Sequence, residues 1–284
     1  MNKSFIIFLL VISGVVTAQQ KTLVCSDLLK DSIDGYLKRS LAEYKDWNVG
    51  FQGSYVGFKK IESDEADIGI LALKSDQRKD LENNPNYIVT PFAFQTFFIG
   101  VNTANKLLEI KVDSLREIFS EDGSNQYRNW KEINSNFMAE PMLLVSSRNV
   151  GIGNQLFKAE VMRGKDYHVR ANVIESHQKL SIRVSTTENS LALFSIKPQH
   201  ENIRILSIVP ENSKFAFNPS PQNLFYSDYP FYLSYMVVCR KEKVNELKHF
   251  YQVLYHNNLF DEIEKVGFIG IPIIERKKII SSFL

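Results

Sequence analysis

Three short stretches of this chain carry residues that could hold a small ligand. Cys25-Ser26-Asp27, Gly53-Ser54 and the segment from Arg148 to Asn154 each follow an apolar, strand-like run and precede a helix-like one. Glycines such as Gly151 and Gly153 would let the backbone approach a ligand and turn its N–H groups inward. A helix start adds unpaired N–H donors and a partial positive charge. Arg148 would add a two-pronged grip on an oxyanion, with Ser26, Ser54 and Asn154 as further polar contacts. The chemistry on offer is anion binding. Each group also has a plainer reading: the glycines as a tight turn, Arg148 as a surface ion-pair partner, Asp27 as a helix cap.

Catalytic patterns are missing. There is no P-loop, no G-x-S-x-G and no H-E-x-x-H. Ser176 to Lys179 fits S-x-x-K, but the partner motifs of that chemistry are absent. The histidines at 168, 177, 200, 249 and 256 show no metal-ligand spacing. The expectation is therefore a non-enzyme, with no catalytic residue, no metal and no cofactor.

The first 18 residues read as a secretory signal: Lys3, an apolar run from Phe5 to Val16, and small residues ending at Ala18. That run falls short of the ~20 residues that a spanning helix needs. A soluble exported protein is expected, in the periplasm where an outer membrane exists. The formal net charge is +2, which points to neither nucleic acid nor a strongly anionic surface. Cys25 and Cys239, the only cysteines, could pair in an oxidising compartment or stay as buried thiols.

The elements that must position the three loops alternate in type. "KTLVCS", "NVGFQGS", "ADIGILAL", "PFAFQTFFIGVN", "PMLLVSS", "SLALFSI", "IRILSIV" and "YPFYLSYMVVC" read as strands. Helices are expected from Asp27 through Tyr44, over Val56 to Glu65, over "VDSLREIFS" with Asp113 as cap, from the Arg148 loop to about Met162, and from Lys243 to Lys265. Such alternation indicates α/β architecture with largely parallel sheets. Ligands bind such sheets at the carboxyl ends of strands, where all three loops lie.

In order along the chain, these landmarks resemble the substrate-binding proteins of bacterial phosphate ABC importers, within the type II periplasmic binding proteins. "QGSYVGFKKIESDEADIGI" is similar to the family's glycine-serine turn, helix and following strand. "FFIGVN", "VDSLREIFSED" and "NWKEI" form the most specific match, with Phe119 and Trp130 where the family keeps Phe and Trp. "RNVGIGNQLF" resembles the ligand loop, one residue shorter before its Phe, while "YPFYLSYMVV" and "EKVGFIGIP" resemble the last strand and the closing segment. The resemblance covers nearly all of the mature chain.

The resemblance implies an α/β, two-lobed type II periplasmic binding protein fold with a ligand cleft between lobes. Residues 19–98 and 233–284 would form lobe 1 and residues 99–232 lobe 2. It further implies a monomeric receptor that binds phosphate or a related small anion and delivers it to a membrane permease. Hinge closure around the ligand would accompany binding. The expected contacts that persist are Ser54, Arg148, Gly151 and Gly153. Ile152 and Asn154 stand where the family has hydroxyl donors, and Ala72 where it has an acidic acceptor. Asp27, if it faces the cleft, would repel a dianion or accept the proton of HPO₄²⁻ in place of that acid. The alternative is a degenerate relative with another ligand or none, acting as a signalling or interaction partner of a membrane-bound sensor.

Overall fold

A computed structural model describes residues 20–123, 127–135, 137, 140–147, 151–174 and 176–283. The expected signal segment, 1–18, and Arg148 lie outside the described residues.

The first half of the chain alternates as its hydrophobic pattern requires: β1 (Thr22–Ser26), α1 (Lys30–Ser40), β2 (Asn48–Gln52), α2 (Ser54–Glu62), β3 (Ile68–Leu73), α3 (Ser75–Glu82) and β4 (Tyr87–Thr96). Then follow β5 (Phe98–Asn102), β6 (Glu109–Lys111), α4 (Val112–Phe119), α5 (Trp130–Ile133), β7 (Leu143–Ser147), α6 (Ile152–Leu156), β8 (Asn172–Ile174), α7 (His177–Ser185), β9 (Ser190–Phe194), β10 (Ile203–Ile205) and β11 (Ser207–Val209). The chain closes with α8 (Pro221–Phe225), β12 (Tyr232–Arg240), α9 (Lys248–Leu254), α10 (Asn257–Lys265), β13 (Ile269–Gly270) and α11 (Ile273–Ser282).

Two sheets result. One has the order β13-β4-β12-β3-β1-β2, the other β10-β5-β9-β7-β8, and β11 and β6 form a separate small pair. Parallel pairing holds within β2-β1-β3 and within β8-β7-β9. Both sheets are nonetheless mixed, which corrects the largely parallel expectation. β12 runs antiparallel to both β3 and β4, and β5 antiparallel to β9 and β10. The cause is the path of the chain, which crosses from one sheet to the other at Phe97 and back before Tyr232.

Three expected elements are divided. "PFAFQTFFIGVN" is two strands in different sheets, with buried Phe97 between them. "IRILSIV" likewise splits at Leu206 between two sheets. The last helix breaks at Tyr255-His256, where His256 caps α10 by accepting the Asn258 N–H. Asp113 is no cap either: it lies inside α4 and accepts a hydrogen bond from Arg116.

One continuous core joins the sheets. It runs from Leu23, Cys25 and Ile33 through Phe94, Phe97 and Tyr229 to Phe157 and Leu193. Phe119 and Trp130 are buried in it. Cys25 and Cys239 are buried free thiols.

Candidate functional site

Strand alternation decides what reaches the first loop. In β1, Leu23 and Cys25 join the main core, while Val24 belongs to a second cluster with Ile61 and Leu71. α2 covers that second face. Gly57 allows its close approach, because a Cβ there would sit 2.9 Å from Leu71 Cδ2 and 3.6 Å from Val24 Cγ2. Ser26 lies one pleat beyond Val24 and so faces the same side, toward the first turn of α2. It is only 2% exposed, and its hydroxyl makes no cap bond to the turn that follows.

α2 begins without a side-chain cap. Its first backbone bond runs from Gly57 N–H to the Gly53 carbonyl, so the N–H groups of Ser54, Tyr55 and Val56 have no partner within the helix. Ser54 Oγ accepts the Ala72 N–H at 2.8 Å. That bond ties the start of α2 to the end of β3 and leaves the Ser54 hydroxyl hydrogen to donate elsewhere.

Asp27 follows on the opposite face. Its Oδ1 accepts the Leu28 N–H at 3.1 Å, so it does serve the helical turn it opens. Its charge is also felt at Tyr235 in β12. Burial pushes the Tyr235 hydroxyl well above the ordinary tyrosine range, and the Asp27 carboxylate adds to this. Tyr235 O–H donates to Gln95 Oε1 at 2.5 Å, linking β12 to β4 where both strands approach the crossing.

From the second sheet comes the start of α6. A Cβ on Gly153 would sit 2.8 Å from Ser195 Cα and 2.8 Å from the Thr96 carbonyl oxygen; one on Gly151 would sit 2.9 Å from Ser195 Cβ. Both glycines thus let α6 pack against the end of β9 and the crossing itself. Asn154 Oδ1 accepts from Ser195 Oγ at 2.8 Å, so that oxygen is engaged within its own lobe.

The crossing segments are fastened to each other. Thr96 Oγ1 donates to the Phe231 carbonyl, and Tyr229 O–H donates to the Phe97 carbonyl at 3.3 Å. The rings of Phe97, Tyr229 and Phe231 pack together beside these bonds.

The structure therefore gathers Ser26, Asp27 and Ser54 at the strand ends of one sheet, and Gly151, Gly153 and Asn154 beside the crossing from the other. Gln52, Gln95, Tyr235 and Ser195 join them, and sequence reading passed over all four. A glutamine or tyrosine in a strand carries no signal of its own until the fold buries it.

Features set aside by sequence keep structural roles. Ser176 of the S-x-x-K match is the N-cap of α7, its Oγ accepting the Lys179 N–H at 3.5 Å. His168, His200 and His256 each accept a backbone N–H two residues on. No cluster of three or more potential metal ligands exists among the described residues.

No protein-family model matches the chain, and no curated protein matches it by sequence. Solved structures do match by fold. A possible phosphate binding protein from Planctomyces limnophilus aligns over 93% of this chain and 98% of its own, at 16% identity and a TM-score of 0.65. PstS from Borrelia burgdorferi aligns over 89% and 98%, at 17% identity and 0.64. An ABC-type phosphate transport receptor from Vibrio cholerae aligns over 89% and 100%, at 18% identity and 0.57. The chain has the two-lobed α/β fold of type II periplasmic binding proteins. Among the described residues no helix is long and apolar enough to cross a membrane.

Proposed function

We propose that the chain is an exported solute-binding protein that takes phosphate or a related small oxyanion between its lobes and delivers it to a membrane permease. The observation that carries this reading is the uncapped start of α2, with the buried Ser26 and the unpartnered Gln52 amide beside it. Buried donors without acceptors are costly, and an acceptor-only ligand meets that need. Ser26, Ser54 and the N–H groups of Ser54 to Val56 serve the anion from lobe 1. The loop with Gly151, Gly153 and Asn154 faces it from lobe 2, and Arg148 supplies the positive charge. Asp27 accepts a hydrogen bond from the P–O–H group of a partly protonated oxyanion, which makes the bound species HPO₄²⁻ or H₂PO₄⁻ rather than a fully ionised one. Lobe 1 takes residues 19–98 and 233–284, lobe 2 the residues between. The protein acts in the periplasm as a monomer, with neither catalysis nor cofactor.

Thermal-shift titration of the mature protein tests this, after bound ligand has been stripped by unfolding and refolding. A ligand that binds only the native state adds about 2.7 kcal/mol of stability at 100 times its Kd. The expected result is a saturable rise in Tm with micromolar phosphate, largely lost in Arg148→Ala. No shift at millimolar phosphate would overturn the reading and favour a relative kept for a membrane-bound sensor.

A further inference from the structure

We infer that Gln52 is a ligand-contacting donor of this cleft, supplying from lobe 1 part of the hydrogen bonding that Ile152 cannot give from lobe 2. The inference rests on the oxyanion reading of the cleft and assigns it a residue that the family resemblance did not mark. Gln52 is the last residue of β2, an edge strand, immediately before the Gly53-Ser54 turn into α2. It stands in register with Ser26 on the parallel neighbour β1. Registered side chains on adjacent strands share a face, with the strands about 4.8 Å apart. Gln52 and Ser26 therefore lie side by side on the face that α2 covers.

Two independent observations meet there. The Gln52 Nε2 amide is shut off from solvent and has no hydrogen-bond partner among the described residues. Ser26, 2% exposed, makes no side-chain cap bond to the turn that follows it. Beside them α2 starts uncapped, and Ser54 Oγ is already committed as an acceptor to the Ala72 N–H. The groups at this corner can all donate: an amide N–H₂, two hydroxyls and the first helical N–H groups. Packing alone would not set a buried amide with nothing to receive it among other donors, since buried polar groups are otherwise paired. What satisfies them together is a group that only accepts, with several oxygens spread over a few ångströms. A tetrahedral oxyanion has that form. Because none of these donors is charged, the corner reads oxygen geometry and leaves charge recognition to the rest of the cleft.

Gln52→Met keeps length and volume and removes the N–H₂ group. Gln52→Glu keeps the shape and puts a carboxylate beside Ser26 and the start of α2. Both would be titrated with inorganic phosphate and with sulfate by calorimetry, alongside the wild type, with the Tm of each ligand-free protein recorded. Gln52→Met is expected to weaken phosphate binding tenfold or more, with the ligand-free Tm unchanged or higher, because an unpaired buried donor has gone. Gln52→Glu is expected to abolish binding. Wild-type affinity in Gln52→Met would overturn the donor role and leave the reading of the cleft intact. A ligand-free Tm several degrees lower in Gln52→Met would also overturn it, by showing that the amide serves the protein's own packing. Absence of phosphate and sulfate binding in the wild type itself would overturn the cleft reading, and the donor role with it.

Discussion

Gly153 and Gly35 show how one substitution takes opposite signs in one chain. Glycine inside a helix costs about 1 kcal/mol relative to alanine, through the freedom it has in the unfolded state. At Gly35, within α1, an added Cβ would meet only Arg39 NH1 at 3.4 Å, the far end of a flexible side chain. Gly35→Ala is expected to raise stability by about 0.5–1 kcal/mol. At Gly153 the added Cβ would meet backbone atoms on both sides, Ser195 Cα and the Thr96 oxygen, each at 2.8 Å. Neither can step aside without moving β9 or the crossing, and overpacking of this kind costs about 1–3 kcal/mol. Gly153→Ala is therefore expected to lower the urea midpoint while Gly35→Ala raises it, with unchanged m-values in both. A midpoint for Gly153→Ala at or above wild type would show that α6 does not press on the crossing.

Elements were legible where burial and hydrophobic period agreed. β1, β3 and β9 are apolar runs buried along nearly their whole length, and each was readable as a strand. Breaks were not legible, because apolar residues continue across them. Phe97 and Phe98 are both buried although the chain changes sheets between them, as are Tyr255 and Leu259 on either side of the α9–α10 break. α3 escaped notice for the opposite reason: it buries no residue, so it carries no hydrophobic stripe. Within the site, Ser26 and Ser54 were legible as polar residues in strand-to-helix turns. Gln52 and Gln95 were not, since only tertiary burial distinguishes them from other strand glutamines. α7 was missed too, and its first residue gives the element a pH signature. Burial lowers the pKa of His177 below the usual imidazole value. The unfolded chain, with a pKa of about 6.5, then binds protons more readily than the folded one. Stability is full above that value and falls as pH drops through it. His168 shifts the same way, through burial first and the charge of Arg170 second. His177→Gln should therefore lose less Tm than wild type between pH 7.5 and 5.5, recovering part of the loss and not all of it. Equal losses would place the acid sensitivity elsewhere.

Across the whole molecule the strongest constraint is that the start of α6 and the returning chain both bear on the segment where the chain crosses between sheets. The start of α6 bears on the Thr96 carbonyl, and the Thr96 hydroxyl holds the returning segment at Phe231. A change of angle at the crossing must therefore carry the start of α6 with it. The continuous core through Phe97 and Tyr229 fills this crossing with packed aromatics. A single compact body of this length would have a radius of gyration near ~18 Å, and two lobes held apart exceed it. If the cleft takes an oxyanion, saturating phosphate should move the solution-scattering radius of the mature protein toward that value. Thr96→Val tests the coupling. It removes the donor to Phe231, leaves a buried carbonyl short of a partner, and should cost about 1–3 kcal/mol of stability. The donors of lobe 1 are untouched, so any change in phosphate affinity must come through the balance between open and closed forms. The expected outcome is an altered affinity with the same end radius at saturation. An affinity equal to wild type, in a variant that is measurably less stable, would show that the Thr96 bond supports the fold without governing closure.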